Sequence, residues 1–180
     1  MNSYTNYEKE AALEDWVEVC LDSLKREGLV EKYYRLVRSH DHPEFYVQDC
    51  SGREWLLECK NLSEFYHKKP GKNPIGSKWS HRMSWTRSHI LNKKWRENSY
   101  PIRDGNKHAT HTTISVQNTE SLRPVLVITH LNFDPDPLQE LNELFGPNII
   151  VSKHQVIGGG PPVAKAMAEI YIRLKELFQK

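Results

Sequence analysis

The stretch that decides the fold is Pro43-Glu44-Phe45-Tyr46-Val47-Gln48-Asp49-Cys50-Ser51-Gly52-Arg53-Glu54-Trp55-Leu56-Leu57-Glu58-Cys59-Lys60. It holds two runs rich in aromatic and aliphatic residues, which favour strands, separated by the turn signal Ser51-Gly52. We therefore predict a β-hairpin. In a hairpin centred near Ser51, the numbers of facing residues add up to about 102 or 103, which places Glu44 opposite Glu58.

The charged residues of this hairpin are predicted to meet on one face. Side chains alternate along a strand, so Glu58 and Lys60 share a face while Cys59 points to the opposite, buried side. Asp49 would pair near the turn, roughly 17 Å from Glu58, which leaves Glu44 as the acid able to share a metal with Glu58. Facing carboxylates destabilise a sheet unless a cation such as Mg²⁺ lies between them. The alternative is that both acids face solvent on a polar hairpin.

The order Pro43-Glu44, hairpin, Glu58-Cys59-Lys60 resembles the signature of the PD-(D/E)XK nuclease superfamily, which includes restriction endonucleases and Holliday-junction resolvases. This chain has Glu44 where the family usually has Asp. The resemblance implies an α/β (α+β) fold with a restriction-endonuclease-like core, a central mixed sheet flanked by helices. It also implies that Glu44 and Glu58 hold Mg²⁺, for which Mn²⁺ is a possible substitute, and that Lys60 positions or activates the attacking water.

A helix is predicted before the hairpin, from about Tyr7 to Arg26, because apolar residues recur there at spacings of three and four. Glu14 and Glu18 lie one turn apart at the edge of its apolar face. Glu14 resembles the acid that family members often add from this helix, and we therefore include it among the candidate catalytic residues. The alternative is that both acids belong to a solvated helix flank.

The segment from about residue 65 to 108 is strongly basic. It contains 11 Lys and Arg residues and two acidic ones, whereas the rest of the chain has 14 basic and 21 acidic residues. A basic segment in an otherwise acidic chain is typical of a surface that contacts a phosphate backbone, although many such runs are only solvated loops. Tryptophans are interleaved with the charges. The predicted nucleic-acid contacts are Lys78, Arg82, Arg87, Lys93, Lys94 and Arg96. The family resemblance also implies that side chains of the helix predicted at about 80–95 contact the active site or DNA, for which the candidates are His81, Arg82, His89 and Lys93.

The remaining pattern predicts a single domain over residues 1–180. Further strands are predicted at about 33–37, 124–129 and 148–151, and further helices at about 80–95, 136–145 and 163–178. Residues 99–123 are polar and are predicted to form a loop or a short hairpin. The order α-β-β-β-α-β-α-β-α suits a mixed sheet flanked by helices.

The bulk properties favour a cytoplasmic protein that does not associate with membranes. Mean hydropathy is −0.69, and the chain has no apolar run long enough to span a bilayer. Cys20, Cys50 and Cys59 are scattered without zinc-site spacing, which is typical of reduced thiols.

These observations predict a Mg²⁺-dependent endonuclease that hydrolyses phosphodiester bonds in duplex or branched DNA. Because cutting both strands needs two sites, a homodimer is expected. One alternative is a nucleic-acid-binding module on the same fold with weak or no catalysis, which Glu44 in place of Asp keeps open. Another is a structural or interaction domain, in which Glu44, Glu58 and Lys60 form a surface ion cluster.

Overall fold

The structure is a computed structural model that describes residues 4–39, 41–61, 93–103, 112–129 and 142–180. In chain order its elements are α1 (Asn6–Arg26), β1 (Val30–Arg35), β2 (Phe45–Asp49), β3 (Glu54–Asn61), β4 (Ser99–Pro101), β5 (Thr113–Ser115), a 3-10 turn (Thr119–Ser121), β6 (Arg123–Thr129), α2 (Asn142–Phe145), β7 (Ile149–Val151) and α3 (Pro161–Gln179).

Five strands form one mixed sheet in the order β1-β2-β3-β6-β7. The first two neighbouring pairs are antiparallel, and the β3–β6 and β6–β7 pairs are parallel. Strands β4 and β5 form a separate two-stranded sheet, so the short-hairpin alternative for residues 99–123 is the correct one. With the two long helices α1 and α3, this architecture confirms the predicted α+β class with a mixed sheet.

The hairpin between β2 and β3 has the predicted register, because Phe45 pairs with Leu57 and Tyr46 with Leu56. Gly52 adopts a φ of 81° in the turn, a conformation that glycine accepts without strain. The carboxylate of Asp49 accepts hydrogen bonds from the amides of Ser51 and Arg53. Asp49 therefore organises the turn, far from the end of β3 where Lys60 lies.

The two faces of the sheet follow the alternation of the strands. Phe45, Leu57 and Val125 are fully buried on the face covered by α1 and α3. Leu56 and Leu126, which adjoin Leu57 and Val125 in the sequence, are buried on the other face together with residues of the β4–β5 sheet. Side chains alternate along β3, so Glu58 and Lys60 lie on the same face as Leu56. The hairpin register places Glu44 opposite Glu58, and Glu44 is therefore assigned to this second face too.

Helix α1 begins at a capping box, in which the Thr5 side chain accepts from the Glu8 amide and the Glu8 carboxylate accepts from the Thr5 amide. Its predicted apolar stripe is buried: Leu13, Val17, Cys20, Leu21 and Leu24 are at most 1% exposed. The C-terminal helix α3 begins at Pro161, two residues before the predicted start, since proline is well suited to the first turn.

Some boundaries differ from the prediction. The first strand is Val30–Arg35 rather than 33–37, because it continues to pair with β2 toward its N-terminal end. Residues 93–95 are not helical, and the rest of the helix predicted at 80–95 lies outside the described residues. The helix predicted at 136–145 is described only over Asn142–Phe145. Within the described parts of the chain, no helix has the length and apolar character needed to span a membrane.

Candidate active site

A cavity of about 340 Å³ lies beside the C-terminal end of β3. It gathers charged side chains from α1, from the connection between β1 and β2, from β3 and from the chain near residue 93. Its lining residues are Tyr7, Glu10, Glu14, Arg38, Ser39, Glu44, Lys60 and Lys93. The parallel strands β3 and β6 end together here, where the side-chain amide of Asn61 donates to the Thr129 hydroxyl over 3.4 Å.

Glu58 is fully buried, with 0% exposure, and among the described residues neither of its carboxylate oxygens has a hydrogen-bond partner. Two ammonium groups approach it instead. Lys60 Nζ lies 3.2 Å from Oε1 and Lys93 Nζ lies 3.4 Å from Oε2. A buried carboxylate that lacks hydrogen bonds is costly unless opposite charge compensates it, so the two lysines are what makes Glu58 tolerable at this position.

Glu44 joins Glu58 at this site, as the hairpin register requires. Its Oε2 accepts a hydrogen bond of 2.7 Å from the amide of Cys59, and its Oε1 lies 4.0 Å from Lys93 Nζ. Burial and the charge of Glu58 raise the pKa of Glu44 well above its ordinary value, although Lys93 and Lys60 oppose this. The two carboxylates therefore repel each other strongly enough to disfavour their both being charged without added positive charge.

Lys60 faces the same pair. Burial lowers the pKa of Lys60, but the carboxylates of Glu58, Glu10 and Glu44 outweigh burial and hold the pKa above its ordinary value. A raised pKa favours the protonated form of Lys60. Of the two roles expected from the sequence, an ammonium suits positioning, together with charge stabilisation.

Glu14 borders the cavity, but its charge is already compensated. Its Oε2 accepts from Arg35 over 3.0 Å and its Oε1 accepts from Arg38 over 2.9 Å. Arg35 also pairs with Asp15 and Glu18, each at 2.9 Å. Glu14 and Glu18 therefore belong to an ion network that ties α1 to β1, and Glu14 has no oxygen without an arginine partner.

Glu10 is the acid of α1 that the sequence analysis missed. It lies one turn before Glu14, lines the cavity, and accepts a 3.3 Å hydrogen bond from the amide of Asn61. Burial raises the pKa of Glu10, against the opposing effect of Lys60. The four-residue spacing from Glu14 places both acids on the same side of the helix, and that spacing was the available signal.

Lys93, which the sequence made a candidate for contact with nucleic acid or with the active site, is buried. Its side chain is 3% exposed, and its Nζ donates to the main-chain oxygens of Ser39 and His42 over 2.9 and 2.8 Å. An ammonium has three donors, so one direction remains for the carboxylates of Glu44 and Glu58. Of the two expected places for Lys93, the structure therefore has it beside the carboxylates.

The other predicted nucleic-acid contacts divide into two groups. Lys94 and Arg96 lie on the surface, with side chains 51% and 62% exposed, and Arg96 pairs with Glu120 over 3.0 Å. Lys78, Arg82 and Arg87 lie outside the described residues. A contact surface for nucleic acid in this segment therefore stays a prediction.

The carboxylate pair fits a divalent cation by its chemistry. Mg²⁺ takes oxygen ligands and is commonly held by one or two carboxylates while it keeps several waters. The buried oxygens of Glu58, which lack a hydrogen bond from the described residues and lie next to Glu44, are suited to such an ion. Among the described residues, no group of three or more His, Cys, Asp and Glu side chains is arranged to hold a metal.

Comparisons of this chain with protein-family models, with curated proteins and with solved structures give no significant match. The resemblance to the PD-(D/E)XK superfamily therefore rests on Pro43, Glu44, Glu58 and Lys60 and on their order along the hairpin.

Proposed function

We propose that this protein is a metal-dependent endonuclease of the PD-(D/E)XK type that hydrolyses phosphodiester bonds in DNA. The observation that carries the proposal is the buried carboxylate of Glu58. Among the described residues it has no hydrogen bond, and it lies beside Glu44 and Lys60, which line the cavity.

Each residue has a role that follows from its chemistry. Glu44 and Glu58 would hold Mg²⁺, and the ion, when bound, would polarise the phosphate and supply an activated water. The Lys60 ammonium would bind a phosphate oxygen and stabilise negative charge that develops there. Glu10, on the far side of Lys60, helps to keep that ammonium charged.

Burial argues against the reading of these residues as a surface ion cluster. Glu58 is 0% exposed and the Lys93 side chain 3% exposed, whereas a surface cluster would have exposed partners. Taking several charges out of water is costly, and folds keep such groups chiefly where they serve a site.

DNA as the substrate is supported by the charge distribution. The segment 65–108 is basic in an otherwise acidic chain, and its described members Lys94 and Arg96 are exposed. Such a surface attracts a phosphate backbone in a salt-dependent way. A homodimer would bring two sites to the two strands of a duplex, and it is part of the proposal.

One observation favours the second candidate, a DNA-binding module without catalysis. Lys93 approaches both carboxylates, and Arg35 and Arg38 compensate Glu14. These acids are thus stabilised by the protein's own cations. On this alternative, the same basic surface binds DNA and the acidic pair has only a structural role.

Cleavage of labelled linear, supercoiled and branched DNA tests the proposal, with Mg²⁺, Mn²⁺ or EDTA present. The variants are Glu44→Gln and Lys60→Gln, and the matched control is Glu176→Gln, at an exposed carboxylate on α3. We expect metal-dependent cutting by the wild type and the control, and loss of cutting in the two site variants.

Other results would separate the alternatives. Cutting by Glu44→Gln or Lys60→Gln at the wild-type rate would overturn the site assignment. Salt-sensitive DNA binding without cutting in any metal would establish the binding module. Glu58→Ala is a poor first variant because it removes a fully buried side chain that pairs with both Lys60 and Lys93, so a loss of cutting would not separate lost stability from lost chemistry.

A further inference from the structure

We propose that the ammonium of Lys93 is a built-in cation that stands in for the metal between Glu44 and Glu58, and that the divalent ion and Lys93 compete for these carboxylates. The competition rests on the proposed function, because it takes the metal from that proposal.

The position of Lys93 Nζ is the first argument. It lies 3.4 Å from Glu58 Oε2 and 4.0 Å from Glu44 Oε1, so one positive charge serves both acids. Lys60 Nζ lies near the other oxygen of Glu58, at 3.2 Å from Oε1. Among the described residues, Lys93 is thus the cation that lies within 4.0 Å of both members of the pair.

The main-chain contacts of Lys93 are the second argument. The carbonyl oxygens of Ser39 and His42 accept from Nζ over 2.9 and 2.8 Å, which is a normal hydrogen-bond length. The ammonium therefore keeps two acceptors if a metal takes the carboxylates from it. Lys93 can therefore lose its contacts with the two carboxylates and still have hydrogen-bond acceptors in its buried position. A lysine that only carboxylates contacted would be left without a partner.

Charge balance is the third argument. Lys60 and Lys93 place two positive charges beside the carboxylates, so a divalent ion that joins them would be repelled by both. Repulsion between charges a few ångströms apart is strong in a buried site and weakens the affinity for the ion. Removal of the Lys93 charge should therefore raise metal affinity, and the metal should replace the lost stabilisation.

Mn²⁺ binding to the full chain, followed by the EPR signal of the free ion, tests this inference in Lys93→Gln. The matched control is Lys165→Gln, which removes the same charge from an exposed position on α3. We expect Lys93→Gln to bind Mn²⁺ about tenfold more tightly or better than the wild type, because one repulsive charge is lost. The control should bind as the wild type does.

Thermal unfolding gives a second, independent readout. In EDTA, Lys93→Gln should be less stable than the wild type, because the carboxylates lose their shared cation. Saturating Mn²⁺ should close this gap, since a ligand that binds only the folded state stabilises it. Lys93→Arg, which retains the charge, should restore weak Mn²⁺ binding.

The outcomes separate this inference from the proposed function. Equal or weaker Mn²⁺ binding by Lys93→Gln, with metal-dependent cutting by the wild type intact, would overturn the competition and leave the nuclease standing. A Lys93→Gln protein that stays unfolded in saturating Mn²⁺ would overturn the competition too. Absence of Mn²⁺ binding in every variant, together with absence of cutting, would overturn both.

Discussion

The main-chain N–H of Cys59 donates to the Oε2 of Glu44 over 2.7 Å and so ties the acid that precedes β2 to the backbone of β3. The bond fixes one oxygen of Glu44, while the other lies 4.0 Å from Lys93. It makes use of the length of glutamate at a position where the PD-(D/E)XK family usually has aspartate.

Glu44→Asp tests whether this length matters. The side chain is one methylene shorter, so we expect loss of the bond to Cys59, a decrease of about 1 kcal/mol in the free energy of unfolding, and weaker metal-dependent cleavage. Glu44→Gln keeps an acceptor oxygen for Cys59 and should be close to wild type in stability while it loses cleavage. Urea unfolding and the DNA cleavage assay measure the two effects. A Glu44→Asp protein with wild-type stability and activity would contradict this role for the bond.

Substitution by glutamine should lower stability at Glu14 and lower cleavage at Glu10. Glu14→Gln removes a buried charge from Arg35 and Arg38 and should lower the free energy of unfolding by about 1.5–3 kcal/mol. Glu10→Gln should change stability little and reduce cleavage, because Glu10 lies beside Lys60 at the cavity. Denaturant titration and initial cleavage rates distinguish them. The reverse pattern would make Glu14 the functional acid of α1.

One thiol should react quickly in the folded protein. Cys50 is exposed, whereas Cys20 and Cys59 are buried. Burial raises the pKa of Cys20 to about 12, and burial with the charge of Glu44 raises the pKa of Cys59 well above its ordinary value. Because the thiolate is the reactive form, we expect a disulfide reagent to titrate Cys50 first and the other two only after unfolding. Cys50→Ser should remove the fast phase, and rapid reaction of Cys59 would contradict its place in the core.

The raised pKa of Glu54 predicts that stability depends on pH through a residue away from the site. Burial raises the pKa of Glu54 above 4.5, while a hydrogen bond from Tyr46 and the charge of Lys32 oppose this. Because the folded state holds this proton more tightly than the unfolded state, the stabilising contribution is present below the unfolded pKa and is lost as pH rises through the folded pKa. Glu54→Gln should therefore gain stability relative to the wild type as pH rises above the ordinary glutamate pKa of about 4.3. A difference in urea midpoints that does not change as pH rises through this value would rule the effect out.

The sequence predicted best those features that local rules determine. The register of the hairpin follows from Ser51-Gly52 and from alternation, and the position of Glu44 near Glu58 follows from the register. The buried stripe of α1 follows from its helical spacing. Strand β6 was recognisable as a continuous apolar run, because it is covered on both faces.

Residues brought in by long-range packing were not predictable. The place of Lys93 depends on the carbonyl oxygens of Ser39 and His42, which no local pattern connects to it. Glu14 resembled the acid expected on this helix, but its two arginine partners come from β1 and the residues that follow it. Charge type alone therefore could not separate a surface lysine from a buried one, or an anchored acid from an available one.

Lys60 and Lys93 lie far apart in the chain, yet both approach the carboxylate of Glu58. The entropic cost of bringing these two points together is therefore part of the cost of assembling the site. Because that cost grows only slowly with the number of intervening residues, a change in this number should alter the stability of the site little.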